Sequence, residues 1–367
     1  MKLNIRQRKV VEATDSKILC LAAAAAGKTR TLTERIRFLI EERGVKPEKI
    51  VAITFTNAAA DEMKNRLGNI CEGAFIGTVH SYANGICQFN GIDTQIYVRT
   101  FEFDKIIEKA LTLSSKQYIQ IDHLLVDECQ DIGPLEYAFL ERIPTKNQFW
   151  CGDDRQMIYG FKGTSLQYLE NFYKDDSFKK YYLVENYRNA PNILSFAEGF
   201  LESFKSISPK SVPYKTKNGI IENCTLLDAL DELELSQNWG DWFILTRTNN
   251  ELAAVQEILD ERGIPNVTFK RGDLDLMELE QLMSSNRVKV LTIHTSKGLE
   301  NKNVIVTGAR FYCEEERRIA YVAATRAENI LYWCPSFSKK HKKGRGMNKK
   351  SEAGRFAEKT QQEMITF

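Results

Sequence analysis

The stretch Ile18-Leu19-Cys20-Leu21 is a short apolar run that passes into Ala22-Ala23-Ala24-Ala25-Ala26-Gly27-Lys28-Thr29. Beyond it Leu32, Ile36, Leu39 and Ile40 recur at helical spacing as far as Gly44. A buried strand, a loop of small residues and a helix therefore follow one another. The same alternation continues along the chain. Ile50-Val51-Ala52-Ile53, Phe75–Val79, Leu124-Leu125-Val126, Phe149-Trp150-Cys151 and Tyr181-Tyr182-Leu183-Val184 read as strands, with a helical Ala58–Leu67 among them. It then starts again with Trp242-Phe243-Ile244-Leu245, a helix from Glu251 to Arg262, Val288–Ile293, Val304-Ile305-Val306, a helix around Arg317–Ala324 and Ile330–Trp333. Short apolar strands alternating with helices predict parallel sheets covered on both faces, so two α/β units lie in tandem. Ser206–Gly219, with Pro209, Pro213 and several lysines, reads as an exposed loop inside the second unit.

The first turn carries chemistry. Backbone N–H groups and a helix N-terminus can wrap phosphates, with Lys28 on the β/γ-phosphates and the Thr29 hydroxyl on Mg²⁺, as in a P-loop. Gly-Lys-Thr alone is weak evidence, and five alanines favour an ordinary helix start. Asp127-Glu128, at the end of a buried strand about 100 residues later, decides between the two readings. A carboxylate pair there is what Mg²⁺-dependent hydrolysis of a nucleoside triphosphate requires: Asp127 towards the metal, Glu128 towards the attacking water.

Composition narrows the remaining classes. The 367 residues include 51 basic and 49 acidic side chains, a formal charge of +2, with 43% hydrophobic residues. That is an ordinary globular balance, not a disordered chain. No apolar run approaches the roughly 20 residues of a membrane helix, and no secretory signal opens the chain. Eight cysteines never form a C-x-x-C pair, so buried thiols in a reducing, cytoplasmic compartment are expected. Near-neutral charge leaves nucleic acid open as a partner, because a local stripe of positive potential suffices. Lys339, Lys340, Lys342, Lys343, Arg345, Lys349 and Lys350 form one such excess, a basic tail over 336–367 that is either a solvated end or a phosphate contact.

Asp127-Glu128-Cys129-Gln130-Asp131 resembles the D-E-x-Q-D box of superfamily 1 helicases of the UvrD/Rep type, and further boxes follow in that family's order. Leu3-Asn4 with Gln7 resembles the adenine-reading motif. Thr54-Phe55-Thr56-Asn57-Ala58-Ala59-Ala60 with Met63, and Gly77-Thr78-Val79-His80-Ser81, resemble DNA-contacting motifs. Gly152-Asp153-Asp154-Arg155-Gln156-Met157-Ile158-Tyr159-Gly160-Phe161-Lys162-Gly163, Glu185-Asn186-Tyr187-Arg188, Thr292–Glu300 and Tyr321–Ala327 complete the series. The resemblance implies two tandem RecA-like domains, expected over 1–181 and 182–335, with ATP in the cleft between them.

It also implies roles. Gln7 reads the adenine edge, Tyr187 stacks on the base, and Glu300 contacts the ribose. Ala26, Gly27, Lys28, Thr29 and Arg30 hold the nucleotide, Thr29 and Asp127 hold the metal, and Glu128 orients the water. Gln156 senses the γ-phosphate, and Arg188 and Arg326 act as arginine fingers. Phe55, Tyr159 and Phe161 are the expected base platforms, since stacking contributes about 1–3 kcal/mol per base and tolerates any sequence. Asn57, His80, Lys162, Arg247, His294 and Lys297 are the expected polar strand contacts. The alanine loop departs from the family, which usually places glycine where Ala25 stands. If φ is positive there, Ala25 carries strain of about 1 kcal/mol or more.

Large members of the family carry an insertion in each unit. Here Ser81 to Leu124 and Pro265 to Val288 span 43 and 23 residues by subtraction, too few for a further domain, with a small helical excursion expected around Phe101–Leu113. The expected activity is an ATP-dependent translocase and helicase on single-stranded and partly duplex DNA. Its direction is 3′→5′ as the resemblance implies, and its setting is replication, repair or recombination, with proteins of those processes as partners. Two rivals stand beside it: a nucleic-acid-binding accessory protein without efficient hydrolysis, and a P-loop enzyme acting on small molecules. The second leaves the DNA-type boxes unexplained.

Overall fold

The computed structural model describes residues 2–335, apart from 237, 271–273 and 311; the basic tail lies outside the described residues. The chain divides into two compact units, one running to Val184 and including Ser206–Pro209, the other comprising Glu185–Lys205 and the chain from Lys210. The expected boundary after residue 181 would cut a strand, Lys179–Leu183, that belongs wholly to the first unit.

In the first unit β1 (Lys17–Ala22), β2 (Ile50–Thr54), β3 (Phe75–Thr78), β4 (Ile121–Val126), β5 (Thr145–Gly152) and β6 (Lys179–Leu183) form one sheet in the order β3-β2-β4-β5-β1-β6. Every pairing is parallel. Side chains alternate between its faces, as a period of two requires. Leu19, Leu21, Val51, Ile53, Leu124, Val126 and Trp150 pack on one side with helices Val79–Phe89 and Phe103–Leu111. Ile18, Cys20, Ile50, Ala52, Leu125, Phe149 and Cys151 pack on the other with Lys28–Glu41 and Asn57–Leu67. Both faces are apolar, so the strands read as continuous hydrophobic runs. Parallel pairing brings the C-terminal ends of β1, β5 and β4 side by side, at one edge of the sheet.

The second unit begins with a short separate pair, β7 (Glu185–Asn186) and β8 (Val212–Pro213). Its sheet holds β9 (Ile220–Asn223), β10 (Trp242–Thr246), β11 (Asn266–Val267), β12 (Val288–Thr292), β13 (Asn301–Thr307) and β14 (Ala327–Cys334), in the order β11-β12-β10-β13-β14-β9. Helices Leu226–Ser236 and Asn249–Glu261 cover one face through Leu230, Leu233, Val255 and Leu259. The architecture is α/β with parallel sheets flanked by helices.

Ser206–Gly219 is not simply an exposed loop of the second unit. Asp154 accepts from Ser206 Oγ (2.9 Å), Ile207 N (3.1 Å) and Ser208 N (3.0 Å), and Arg155 donates to Pro209 O (3.0 Å). One buried carboxylate satisfies the turn's donors and holds Ser206–Pro209 in the first unit. Between Ser81 and Leu124 the chain holds helix Gln95–Arg99 and helix Phe103–Leu111, with Ile106, Ile107 and Ala110 buried. All eight cysteines are free; five are buried, whereas Cys313 is exposed. Among the described residues no helix is long and apolar enough to cross a membrane.

Candidate functional site

β1 runs into the alanine loop, which leaves the strand through a bond from Ala23 N to Leu183 O (2.8 Å). The loop is no helix start: Ala25 has φ +54° and Gly27, the N-cap of Lys28–Glu41, has φ +78°. Ala25 thus adopts the left-handed conformation in which a Cβ costs about 1–2 kcal/mol. At Gly27 a Cβ would also lie 2.9 Å from Gln7 Nε2.

Gln7 is buried against this loop. Its Nε2 donates to Ala26 O (3.0 Å), and its Oε1 accepts from Asn4 N (3.0 Å) in a capping box that opens helix Ile5–Val11. The other end of that helix is held by Arg35, which the sequence did not single out. Arg35 projects from the Lys28–Glu41 helix, is 3% exposed, and donates to Val10 O (2.9 Å), Val11 O (3.0 Å) and Ala13 O (3.1 Å). Its guanidinium also lies over the Phe149 ring, and burial lowers its pKa to about 10. Two side chains therefore tie the adenine-motif helix to the phosphate-loop helix.

At the loop's mouth four expected residues meet. Lys28, 8% exposed, pairs with Glu128 at 3.6 Å, and Thr29 Oγ1 donates to Asp127 Oδ2 at 2.9 Å. Burial opposes the charge on Lys28, but Glu128, Asp153 and Asp127 outweigh it and raise its pKa. Asp127 is pushed up to about 7, first by burial and next by the Glu128 charge, against the pull of Lys28 and Thr29. Glu128 itself has φ +49°, a strained conformation for a residue with a side chain.

Gln130, quoted in the acidic box but given no role there, joins two boxes. It donates to Glu128 Oε2, while its Oε1 accepts from Asp153 N at 2.9 Å. Gly152 permits this approach, since a Cβ there would lie 2.7 Å from Gln130 Oε1. Asp153 in turn accepts from Gln156 Nε2 at 2.6 Å, so Gln156 is buried and held at the end of β5.

The oxygen donors of Thr29 and Asp127 fit a hard divalent cation. Burial and the neighbouring Glu128 both disfavour a charged Asp127, and a cation beside its carboxylate would offset that cost. Among the described residues no group of three or more His, Cys, Asp or Glu could hold a metal alone.

In the second unit Arg188 and Arg326 converge on Thr325. Arg326, 2% exposed, donates to Val322 O (2.9 Å), Leu299 O (3.1 Å) and Thr325 Oγ1 (3.1 Å). Arg188 donates to Thr325 O (3.2 Å) and pairs with Glu300, the residue expected at the ribose. Asn189 fixes the same turn by donating to Thr325 O (3.1 Å) and Ala327 O. Tyr187 packs against Tyr214, ring centroids 4.8 Å apart, and Tyr214 N donates to Asn186 O (2.9 Å). Arg30 is half-buried at the start of its helix.

Among the expected strand contacts, Phe55 stacks on Tyr159 (5.1 Å, 21°), and Tyr159 meets Phe161 edge-on (6.0 Å). Phe161 is 68% exposed, whereas Tyr159 is 4% exposed and stacks behind Phe55. Asn57 is exposed at the first turn of its helix, His80 is half-buried beside Asp104, and His294 is half-buried. The Lys162 side chain lies outside the described residues. Lys297 is buried. Arg247 makes a bidentate pair with buried Glu316 (2.7 and 3.0 Å), which holds its guanidinium within the unit. The separation of 69 positions between these partners hid the pairing from any local reading.

The UvrD/REP helicase N-terminal domain matches residues 3–95 and 93–177, and the UvrD-like helicase C-terminal domain matches 269–336. The chain is 24% identical to a probable DNA helicase of Mycoplasma pneumoniae over 455 aligned positions, covering 90% of this chain and 82% of that one. It is 25% identical to the putative ATP-dependent DNA helicase YjcD of Bacillus subtilis, covering 74% and 49%. Against the ATP-dependent DNA helicase PcrA of Staphylococcus aureus it is 24% identical, covering 78% and 53%. It thus spans about half the length of YjcD and PcrA. With the two domain matches spread over most of its length, this chain belongs to the UvrD/REP helicase family.

Proposed function

We propose that the chain hydrolyses ATP to move along single-stranded DNA in the 3′→5′ direction and to unwind duplex DNA, in replication, repair or recombination. The reading rests above all on the Lys28, Thr29, Asp127 and Glu128 cluster, with Gln130 and Gln156 behind it. Lys28 would neutralise the β- and γ-phosphates, and Gly27 and the following backbone N–H groups would cradle them. Glu128, held between Lys28 and Gln130, would take the proton of the attacking water. Mg²⁺ would supply charge neutralisation at the phosphates, with Thr29 and Asp127 as its protein ligands. Arg188 and Arg326 would stabilise charge on the transferring phosphoryl group, with Gln7 and Tyr187 on the base. Phe55 and Phe161 would stack on strand bases, with Asn57, His80 and His294 on the backbone.

The test is ATP hydrolysis with and without single-stranded DNA, for the wild type and Lys28→Ala. We expect DNA-stimulated turnover that Lys28→Ala abolishes; equal, DNA-independent turnover by both proteins would refute the reading. Displacement on duplexes with a 3′ or a 5′ tail reports direction. The strained Ala25 favours one rival, a nucleic-acid-binding protein with little hydrolysis, whose mark would be tight ATP binding without turnover.

A further inference from the structure

Helix Gln95–Arg99 ends in a complete Schellman motif: Glu102 N donates to Tyr97 O (2.9 Å) and Phe101 N to Val98 O (3.3 Å). The residue in the left-handed position of that motif is almost always glycine, because a Cβ is strained there. Here it is Phe101, with φ +57° and 80% of its surface exposed. An aromatic ring thus stands at the tip of a tight turn where neither backbone preference nor burial favours it. The turn is braced: Tyr97 packs on the core behind it, and Ile106 and Ile107 of the next helix are buried.

Two further observations indicate what the ring meets. Phe101 lies edge-to-face with Phe103 (6.1 Å, 77°), and Phe103 edge-to-face with His80 (6.0 Å, 69°), so the tip continues from a residue proposed to touch the strand. Glu102 pairs with Lys105 within the turn, and Asp104 lies 3.4 Å from His80 Nε2. The Glu102 and Asp104 carboxylates disfavour a phosphate beside the exposed Phe101 ring, whereas an uncharged base face can stack on it. The tip stands near residues 93–95, where the two matches to the N-terminal helicase domain meet, in the interval too short for an inserted domain.

We propose that Phe101 is a separation wedge, stacking on the base exposed at the junction of single-stranded and duplex DNA and blocking its re-pairing. Unstacked bases present flat π-faces to aromatic side chains whatever their sequence, so a single ring suffices. The inference rests on the translocase reading and gives it a means of strand separation.

The experiment compares wild type, Phe101→Gly and Phe101→Trp. Phe101→Gly relieves the left-handed strain, so we expect its melting temperature to rise by roughly 2 °C. Its ATPase on single-stranded DNA should stay within about twofold, and its displacement of a 3′-tailed duplex should fall by about 5- to 150-fold, as one lost stacking contact predicts. Phe101→Trp should retain displacement. Displacement by Phe101→Gly at the wild-type rate overturns the proposal. So does a wild-type dimer that Phe101→Gly converts to monomer, which would make the ring a contact between two copies. If wild type shows no DNA-stimulated ATPase, the translocase reading itself fails and the wedge with it; DNA-stimulated ATPase with undiminished Phe101→Gly displacement sinks the wedge alone.

Discussion

The two units hold their expected catalytic groups in different ways. In the first, side chains hold side chains: Lys28 on Glu128, Thr29 on Asp127, Gln130 on Glu128 and Gln156 on Asp153. In the second, main-chain carbonyls do most of the holding, with Arg326 bound to Val322 O and Leu299 O and Arg188 to Thr325 O. Strain is divided the same way. Among the described residues the non-glycine positions with positive φ are Ala25, Phe101 and Glu128, all in the first unit. Buried charge around Asp127 and strained backbone leave the first unit's cluster short of its own optimum, in the state that a phosphate and a cation would relieve. The second unit's arginines are instead anchored to main-chain carbonyls, an arrangement that fits the proposed role of meeting developing charge without reorganising.

The contrast is testable where it is most extreme. Arg188→Ala removes a cation whose neighbours are backbone and Glu300, so the fold should survive while turnover falls by about 10³-fold or more. Steady-state ATPase beside a thermal melt checks both halves; a large fall in melting temperature would show that Arg188 is structural. Glu128→Gln should lower kcat by about 10²–10⁴-fold and leave nucleotide binding intact, because it removes a base while keeping the acceptor for Gln130. Binding of a fluorescent ATP analogue separates these effects. Weakened binding with unchanged turnover would contradict the role given to Glu128.

A smaller effect probes the ties behind the cluster. Arg35→Met leaves the Val10, Val11 and Ala13 carbonyls without their donor, so stability should drop by about 3 kcal/mol. Because Arg35 and Gln7 hold one helix to the phosphate loop, the preference for ATP over GTP should drop too, and Gln7→Ala should add little to Arg35→Met. Fully additive losses would separate the two residues.

The strands were legible because both faces of each sheet are buried, so Ile18–Leu21, Ile50–Ile53 and Trp242–Leu245 appear as unbroken apolar runs. Strand β9 was not, since its residues are mostly exposed and carry no such signature. At the site the phosphate turn and the acidic pair were readable because each is local in sequence. Arg35 and Tyr214 were not, because each acts through a partner that only the fold brings near, and Gln130 was quoted in the acidic box without its tie to Asp153 N, 23 residues on. The pairing of Arg247 was hidden for the same reason: its partner Glu316 is on a distant helix and no local pattern links them.

The smallest expected effect concerns the loop itself. Ala25→Gly would relieve a left-handed φ worth about 1–2 kcal/mol, but glycine also gives the unfolded chain about 0.5–1 kcal/mol of extra conformational entropy. The net gain in stability should therefore be about 0.5 kcal/mol, measured by denaturant midpoint at unchanged slope. The sign of the accompanying change in ATP affinity is the more informative quantity. If Ala25 holds the loop in its phosphate-ready shape through lost freedom, Ala25→Gly should bind ATP more weakly although the fold is more stable, because the loop must then be ordered on binding. If the alanine merely strains a conformation that glycine would adopt freely, stability and affinity should rise together. The first outcome would mark the alanine loop as a functional departure from the family's glycine, and the second as a tolerated cost.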